Sequence, residues 1–213
     1  PNYIAGKMML VRALILGWDL TVVPTNSNPM EYCEGSFDFA AMVPIQLHHS
    51  IEKIHRIKKL IVGGAPFSDK LKASVQNFET EIFSSYGMTE TCTHIALKRI
   101  NRGSVSNGFS DDVFELFPTI SISLDTRNCL VIDAPKIVDK IIYTNDVVEI
   151  LSKTTFKWLG RYDSIVNSGG IKLIPEQLEQ KLAGLISARF FVARLADPVL
   201  GEKLVHMDLM SKD

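Results

Sequence analysis

The 213-residue chain has few cysteines and no excess of charge, and these absences exclude several classes of protein. Its three cysteines, Cys33, Cys92 and Cys129, are far apart in the sequence, so neither a CxxC metal-ligand pair nor a disulfide framework is expected. A formal net charge of −1 gives no support for a nucleic-acid-binding surface. Apolar runs stay below the roughly 18 residues of a membrane span, and the first residues do not form a signal peptide. We therefore expect a protein of the reducing cytoplasm that does not bind nucleic acid and is not inserted in a membrane.

The order of secondary-structure signals predicts the fold class. Residues 17–96 alternate strand-like and helical segments, which is the pattern of an α/β layer with a largely parallel sheet. Residues 114–158 contain short strands separated by turns, a pattern typical of an antiparallel sheet or small barrel. Pro175 is suited to the first turn of a helix, and two strand-like runs follow it. We predict an α/β fold: a layered, mostly parallel sheet with helices, then a small antiparallel β-subdomain and the start of a small α+β C-terminal domain.

The predicted boundaries divide the chain into three parts. Residues 1–112 form the α/β part of a large domain, residues 113–162 its antiparallel β-subdomain, and residues 163–213 the start of a mobile small domain. A helix over Met8–Leu16 is expected to close at Gly17, and Leu20–Val23 to form a short buried strand. The polar stretch 101–112 is expected to be a loop.

Residues 84–91, Ser-Ser-Tyr-Gly-Met-Thr-Glu-Thr, form the most specific segment of the sequence, and they follow a strand-like run. Tyr86 offers a flat ring to a base, and Gly87 allows backbone to approach a ligand closely. Thr89 offers a hydroxyl to a phosphate oxygen, and Glu90 offers the hard oxygen that Mg²⁺ prefers. This combination indicates nucleotide chemistry.

A second predicted strand also ends in a glycine-containing segment, Gly63-Gly64-Ala65. Ligands of open α/β sheets bind beyond the carboxyl ends of the strands. We therefore expect this segment and Tyr86-Gly87 to converge on one ligand, although a simple turn also explains the two glycines.

Four motifs occur in a fixed order: Gly63-Gly64-Ala65-Pro66; Ser85-Tyr86-Gly87-Met88-Thr89-Glu90; Thr144-Asn145-Asp146; and Gly160-Arg161-Tyr162-Asp163 followed by Ser168-Gly169-Gly170-Ile171-Lys172 and Pro175-Glu176. In these motifs the chain resembles the adenylate-forming family of acyl-CoA synthetases and ligases over most of its length. Three further segments resemble, more narrowly, the 2-succinylbenzoate–CoA ligases of menaquinone synthesis: Tyr3–Met9, Cys129–Pro135 and Phe156–Arg161.

The resemblance implies a two-step reaction. A carboxylate attacks the α-phosphate of ATP to give acyl-AMP and pyrophosphate, and the thiolate of coenzyme A then attacks the acyl carbon and releases AMP. The implied ligands are ATP or AMP, Mg²⁺, coenzyme A and a small-molecule carboxylate. The oligomeric state is left open, with a homodimer as one option.

The resemblance also implies a role for each matching residue. Thr89 and Glu90 are the catalytic candidates, for phosphate and Mg²⁺ respectively. For the nucleotide and acyl pocket, the resemblance assigns Tyr86 to adenine, Asp146 and Arg161 to ribose, and Gly64, Ala65, Gly87 and Met88 to the walls of the adenine and acyl pocket. For the second step, it assigns Asp163 to the hinge of the small domain, Gly169 and Gly170 to the pantetheine channel, and Lys172 to phosphate or coenzyme A.

Purely structural roles stay open for several of these residues. They are Thr89 as a helix N-cap, Asn145-Asp146 as a turn, Arg161 as an ion-pair partner of Asp163, Gly169-Gly170 as a β-turn and Lys172 as a solvated lysine. Asn145 stands where the family usually has glycine. His48, His49 and His94 have no partner at metal-ligand spacing, so we expect structural roles for them, as for the cysteines.

Two parts of the family pattern have no match: a Ser/Thr/Gly-rich phosphate loop before Tyr3 and a catalytic lysine near the C-terminus. The chain is therefore expected to be an internal fragment of a longer ligase with little adenylation activity on its own. Two alternatives remain: a catalytically inactive nucleotide-binding or regulatory module with the same fold, and a ligase for another aryl or fatty acid or for an amino acid loaded onto a carrier protein.

Overall fold

The structure, a computed structural model, describes residues 4–101, 112–186, 188 and 190–208. The chain divides into two units, one of residues 1–120 and 134–140 and the other of residues 121–133 and 141–213. The boundaries predicted at 112/113 and 162/163 stay predictions. None of the helices in the described part of the chain has the length and apolarity needed to cross a membrane.

In its described residues, the first unit combines three α-helices with strands in the order β1-β2-β3-β4-β5. The helices are α1 (Ile4–Leu16), α2 (Pro44–His49) and α3 (Asp69–Ser74), and the strands are β1 (Phe37–Met42), β2 (Ile57–Val62), β3 (Glu81–Gly87), β4 (His94–Arg99) and β5 (Phe114–Leu116). Strands β1, β2 and β3 are parallel, whereas β4 is antiparallel to both β3 and β5. Fully buried aliphatic side chains from both helical and strand segments form its core, including Leu47, Ile54, Leu60, Val62 and Ile82.

Register brings three strand ends to one edge of this sheet. Met42 of β1 pairs with Val62 of β2, and Val62 in turn pairs with Ser84 of β3. Since the three strands are parallel, the residues that follow them lie side by side at the carboxyl edge. This edge is where ligands of such sheets bind.

Two local predictions for the N-terminal region have opposite outcomes. Helix α1 ends before Gly17, which has φ +65°, and the Trp18 amide donates to the Ala13 carbonyl at 2.9 Å, so the predicted glycine stop is confirmed. The predicted strand at Leu20–Val23 is wrong, because these residues are irregular and Val22 is 80% exposed. An apolar run becomes a strand only where a neighbouring strand pairs with it, and none in the described part of the chain does so here.

In the described residues, the second unit contains two sets of antiparallel strands. The first set is β6 (Ser121–Leu124), β7 (Cys129–Asp133), β8 (Ile142–Ile150) and β9 (Thr155–Arg161), paired in chain order. The second set is β10 (Val166–Ser168), β11 (Ile171–Leu173), β12 (Phe190–Asp197) and β13 (Gly201–Asp208), in the order β11-β10-β13-β12. Helix α4 (Pro175–Leu182) lies between β11 and β12 in the sequence.

The predicted fold class is confirmed, with one refinement to the large sheet. Among the strand pairs given above for the described residues, β1-β2 and β2-β3 are parallel and the others are antiparallel. Helix α4 and strands β12 and β13 form where the small α+β domain was expected. The polar stretch predicted at 101–112 falls almost wholly outside the described residues.

Candidate functional site

Glycines line the carboxyl edge of the parallel strands. The Gly63 amide donates to the Met42 carbonyl at 3.1 Å, and a Cβ at Gly63 would overlap the Ser85 hydroxyl, so the ends of β2 and β3 are in direct contact. Gly64 has φ +84°, a conformation that favours glycine. Gly64 and Ala65 are exposed at this edge, beside the segment that ends β3. The two glycine-containing strand ends thus lie together, as expected.

Residues 86–90, which we name the motif cluster, lead from the end of β3 into a short 3-10 turn. The half-buried Tyr86 ring lies 5.7 Å from the Phe114 ring, centroid to centroid, at an interplanar angle of 59°. Lys98 Nζ lies 4.7 Å from the centroid of Phe114. Burial lowers the pKa of Lys98, although its ion pair with Asp112 at 2.7 Å opposes that shift. The Tyr86 ring therefore packs against Phe114, which in turn contacts Lys98.

Thr89 and Glu90 are the exposed members of the motif cluster. The 3-10 turn covers Thr89–Thr91, and its N-cap position is Met88. The alternative in which Thr89 caps a helix is therefore wrong, because Thr89 lies inside the turn. Within the described part of the chain, neither the Thr89 hydroxyl nor the Glu90 carboxylate has a hydrogen-bonding or ion-pair partner. Both side chains can bind a ligand without first losing a protein contact.

A buried hydroxyl that sequence reasoning missed holds the motif cluster in shape. Thr91 is fully buried; its Oγ1 accepts from the Met88 amide at 3.1 Å and lies 2.7 Å from the Thr93 carbonyl. Gly87 fits against the returning chain so closely that a Cβ there would lie 2.5 Å from the His94 Cα. The sequence Gly-x-x-x-Thr is too common a pattern to have predicted this loop.

A half-buried arginine of helix α1, Arg12, contacts the segment that follows the motif cluster. Arg12 of α1 donates to the Thr93 hydroxyl at 2.6 Å, and Thr93 Oγ1 lies 3.1 Å from His94 Nδ1. Burial lowers the pKa of Arg12; burial and the charge of Arg12 both lower the pKa of His94. Arg12 has no carboxylate partner among the described residues. A desolvated guanidinium in this state is suited to an anionic ligand.

In the second unit, Asp146, Arg161 and Asp163 form a group that we name the carboxylate cluster. Asp146 is a buried residue of β8, paired in register with Arg161 of β9, so the alternative of an Asn-Asp turn is wrong. Its Oδ1 accepts from the Trp158 indole at 3.1 Å and lies 3.7 Å from Arg161 Nη1. The Asp146 amide donates to the Thr144 hydroxyl at 3.0 Å, which fixes the backbone beneath the carboxylate.

Arg161 joins the two carboxylates of this cluster. Its Nε and Nη2 donate to the two oxygens of Asp163 at 3.0 and 3.1 Å, in the bidentate arrangement typical of arginine. These bonds lower the pKa of Asp163. The ion pair considered from the sequence is thus present, and it leaves Arg161 close to Asp146 as well.

Helix α4 packs on the same segment through Glu176. Glu176 Oε1 accepts from the Arg161 amide at 3.3 Å, while its buried Oε2 has no hydrogen-bond partner among the described residues. Gly160 has φ +150°, and a Cβ there would lie 2.6 Å from Glu176 Oε2. Glycine at position 160 is therefore required for this contact.

Arg127 is the main residue of this unit that sequence reasoning missed. It lies in the turn between β6 and β7, where its Nε donates to Asp125 at 2.8 Å. Its other nitrogens donate to Asn145 Oδ1 and to the Thr144 carbonyl, both at 3.0 Å, and its guanidinium carbon lies 5.1 Å from the Tyr162 ring centroid. One side chain thus contacts both segments that carry the carboxylate cluster.

Asn145 shows why the family glycine is not needed at this position. Among the described residues, positive φ angles outside glycine occur only at Cys92, Thr119 and Asn128. Asn145 is instead part of the extended strand β8. Its side chain supplies the acceptor for Arg127.

The remaining predicted residues lie in the turn and hairpin of β10 and β11. Gly169 and Gly170 join the two strands with φ +56° and +85°, so the β-turn considered from the sequence is present. The Gly169 amide donates to the Leu200 carbonyl at 3.0 Å. Lys172 is exposed on β11. A role for these residues in binding coenzyme A stays a prediction.

Metal ligands from protein alone are not gathered anywhere in the described residues, where no group of three or more His, Cys, Asp or Glu side chains could hold a metal ion. Glu90 supplies a single exposed carboxylate. Mg²⁺ is commonly bound by one or two carboxylates together with substrate phosphates, and Glu90 fits that arrangement.

Comparison with solved structures finds proteins with a similar fold. An AMP-forming acyl-CoA synthetase/AMP-acid ligase II-like protein from Dyadobacter fermentans is 37% identical, with a TM-score of 0.69 over 99% of this chain and 62% of that chain. The O-succinylbenzoate coenzyme A synthetase of Bacillus subtilis, in complex with the acyl-adenylate intermediate, has a TM-score of 0.73 over 98% of this chain and 50% of its own, at 18% identity. At that identity the second likeness concerns the fold.

Among curated proteins, a 3,4-dihydroxybenzoate–[aryl-carrier protein] ligase from Bacillus anthracis is 26% identical over 199 residues. This chain spans 44% of the length of that relative. No protein-family model matches the chain. The fold, the ordered motifs and the 37% identity over nearly the whole chain agree. In these respects the chain is similar to AMP-forming acyl-CoA synthetases and acid ligases.

Proposed function

We propose that the protein containing this chain is an ATP-dependent carboxylate–CoA ligase that acts through an acyl-adenylate, with 2-succinylbenzoate as its acid. The observation that carries the proposal is the 37% identity to an AMP-forming acyl-CoA synthetase over 99% of the chain. The placement of Gly64 and the motif cluster at one carboxyl edge supports it, because ligands of such sheets bind there.

The motif cluster takes the adenine and phosphate end of ATP. Tyr86, supported by Phe114, offers a ring face for stacking on adenine. The Thr89 hydroxyl donates to a phosphate oxygen, and the Glu90 carboxylate binds Mg²⁺ together with the phosphates. When bound, Mg²⁺ neutralises charge that develops as the substrate carboxylate oxygen attacks the α-phosphorus and pyrophosphate leaves.

The carboxylate cluster, considered by itself, has the groups to bind a ribose. A carboxylate offers about four lone-pair sites, so Asp146 can accept from ribose hydroxyls in addition to Trp158 and Arg161. Arg161 approaches the same ligand from β9. Asp163 follows it in the chain and acts as the hinge of the small domain between the adenylating step and the attack of the coenzyme A thiolate on the acyl carbon.

Arg12 favours an acid with a second anionic group. 2-Succinylbenzoate retains one carboxylate after the other is activated. Arg12 is half-buried, hydrogen-bonded to Thr93 and without a carboxylate partner in the described part of the chain. A bound carboxylate would supply the counter-charge that this desolvated guanidinium lacks.

A second candidate function is favoured by the curated relative, an aryl-carrier-protein ligase. The adenylating step is the same for both candidates, and the acceptor differs. The protein containing this chain, supplied with ATP and 2-succinylbenzoate, should form the CoA thioester. Transfer to a carrier-protein thiol in preference to coenzyme A would support the second candidate and contradict the first.

Nucleotide binding is tested on the chain itself by titration calorimetry with AMP. We expect Asp146→Ala to abolish measurable binding, because the ribose hydroxyls lose their acceptor. Asp38→Ala is the matched control, since Asp38 is an exposed residue of β1 paired only at the surface with Lys58. Equal AMP affinity in wild type and Asp146→Ala would contradict the ribose assignment.

The acid is tested in the protein containing this chain by pyrophosphate exchange. Arg12→Gln should raise the KM for 2-succinylbenzoate and leave the KM for ATP nearly unchanged. Lys7→Gln is the control, because Lys7 is an exposed cation of the same helix. Turnover of monocarboxylic acids but not of 2-succinylbenzoate by the unmodified protein would overturn the substrate proposal.

A further inference from the structure

We propose that Arg127 is a positioning residue of the nucleotide site, which holds the segment bearing Asp146 and the segment bearing Arg161 and Asp163 in a fixed mutual geometry. The inference rests on the proposed function for its ligand, and on the contacts of Arg127 for its physical basis. Arg127 itself is assigned no contact with substrate.

The turn between β6 and β7 prepares Arg127 for this role. Asp125 Oδ1 accepts from the backbone amides of Arg127 and Cys129 at 2.8 and 2.9 Å, which closes the turn. The Asp125 carboxylate also accepts from Arg127 Nε at 2.8 Å. Burial opposes ionisation of Asp125, but these hydrogen bonds outweigh it and hold its pKa below the ordinary value. The guanidinium is therefore fixed at its base before it reaches any other segment.

The far side of the guanidinium holds the strand that carries Asp146. Nη1 donates to Asn145 Oδ1 and Nη2 to the Thr144 carbonyl, each at 3.0 Å. The Thr144 hydroxyl donates to the Leu130 carbonyl at 2.8 Å and accepts from the Asp146 amide at 3.0 Å. Thr144 is thus held between Arg127 and β7, and Asn145 is held by Arg127.

The face of the guanidinium contacts the segment of the hinge. Its carbon lies 5.1 Å from the centroid of the Tyr162 ring, within the range of a cation–π contact. Tyr162 lies between Arg161 and Asp163 in the sequence, and Arg161 reaches both carboxylates of the cluster. A shift of Tyr162 would therefore move both neighbours.

The planar, forked guanidinium of Arg127, and not its charge alone, explains this set of contacts. A lysine ammonium at position 127 would keep the positive charge, but its three donors share one nitrogen, and it has no planar face to lie over the Tyr162 ring. A role of Arg127 as a distant cation for the AMP phosphate would survive the change to lysine. The two roles are separable by one substitution.

The test compares Arg127→Lys, Arg127→Met and Asn145→Ala, with Arg194→Lys and Arg194→Met as matched controls. Arg194 is an exposed arginine of the same unit, 3.6 Å from Glu202. Two measurements are made on each variant of the chain: AMP affinity by calorimetry, and the position and hydrogen exchange of the Trp158 indole N–H resonance. A Trp18→Phe background leaves Trp158 as the one tryptophan. The indole reports on Asp146 directly, because it donates to Asp146 Oδ1.

We expect Arg127→Met and Arg127→Lys both to shift the Trp158 indole resonance and to weaken AMP binding about tenfold, as for loss of a hydrogen bond to a charged group. Asn145→Ala should do so to a smaller extent, and the double variant with Arg127→Met should be no weaker than Arg127→Met alone. The Arg194 variants should match wild type in both measurements.

Three outcomes would overturn the proposal: wild-type behaviour of Arg127→Lys, equal behaviour of Arg127→Met and Arg194→Met, or a lower Tm of Arg127→Met with an unchanged indole resonance. If the wild-type chain itself does not bind AMP, the ribose assignment of the carboxylate cluster fails, and the indole resonance alone decides whether Arg127 positions Asp146.

Discussion

The motif cluster and the carboxylate cluster differ in how their side chains are held. In the motif cluster, backbone geometry does the holding: Gly87 fits against the returning chain, while Thr89 and Glu90 are exposed and unpaired within the described residues. In the carboxylate cluster, side chains hold one another, since Arg161 joins Asp146 and Asp163.

This difference predicts how each region responds to substitution. Exposed side chains fixed only through their backbone act separately, so changing one has little effect on the next. Side chains in one hydrogen-bonded network share partners, so removing one alters the cost of removing another. The first region is sensitive at its glycine and its buried hydroxyl, and the second at its ionic contacts.

The largest expected effect is that of Gly87→Ala. The new Cβ would meet backbone of Thr93 and lie 2.5 Å from the His94 Cα, and backbone cannot move aside without disturbing the pairing of β3 and β4. We expect a loss of about 3 kcal/mol in the free energy of unfolding, measured by urea denaturation. Gly184→Ala is the control, because a Cβ there has no heavy atom within 4 Å. Equal stability of the two variants would show that the loop is not held by its backbone.

Removal of the Thr91 hydroxyl should have the next largest effect. Thr91→Val keeps the shape of the side chain but leaves the partly buried Met88 amide without its acceptor, at a cost of about 1–3 kcal/mol. Thr91→Ser keeps the hydroxyl and should lose about 1 kcal/mol or less. The comparison is made by urea denaturation and by the chemical shift of the Met88 amide. A larger loss in Thr91→Ser than in Thr91→Val would assign the role of Thr91 to packing instead.

Elements with local signals were predictable from the sequence. The end of α1 depends on Gly17, and the N-cap of α3 is Ser68, whose hydroxyl accepts from the Leu71 amide at 3.2 Å. Both signals involve neighbours a few residues away. The strand ends that carry Gly64 and Tyr86 were predictable for the same reason, since each follows a short apolar run.

Features that depend on distant pairing were not predictable. Leu20–Val23 has the composition of a strand but no strand beside it in the described residues, whereas β1 was missed although it pairs with β2 across a long connection. Arg127 contacts Thr144 and Asn145, 17 and 18 residues away, because of the register of β7 and β8. Spacing along the chain carries no signal for such a contact.

A pair of double-mutant cycles tests the contrast between the clusters directly. Asp146→Asn and Arg161→Gln should be non-additive by about 1 kcal/mol in unfolding free energy, because each removes a partner of the other. Thr89→Ala and Glu90→Gln should add within about 0.5 kcal/mol. Both cycles are measured by urea denaturation under one buffer condition. Coupling of equal size in the two cycles would remove the distinction between the two regions.

The smallest expected effect concerns His94, which follows the motif cluster and lies near Arg12. Burial and the nearby Arg12 lower the pKa of His94, so the folded chain binds a proton there less readily than the unfolded chain, whose histidine titrates near pH 6.5. The contribution of this group to stability is therefore complete above about pH 6.5 and is lost as the pH falls through the folded pKa. Since the ring is partly exposed to water, we expect less than about 1 kcal/mol. His94→Gln should remove this dependence, and NMR titration of the ring should show the lowered pKa directly.

If Arg12 also binds the free carboxylate of the acid, saturating 2-succinylbenzoate should raise the pKa of His94, because the added negative charge offsets the guanidinium. A titration curve unchanged by the acid would place the substrate carboxylate away from Arg12.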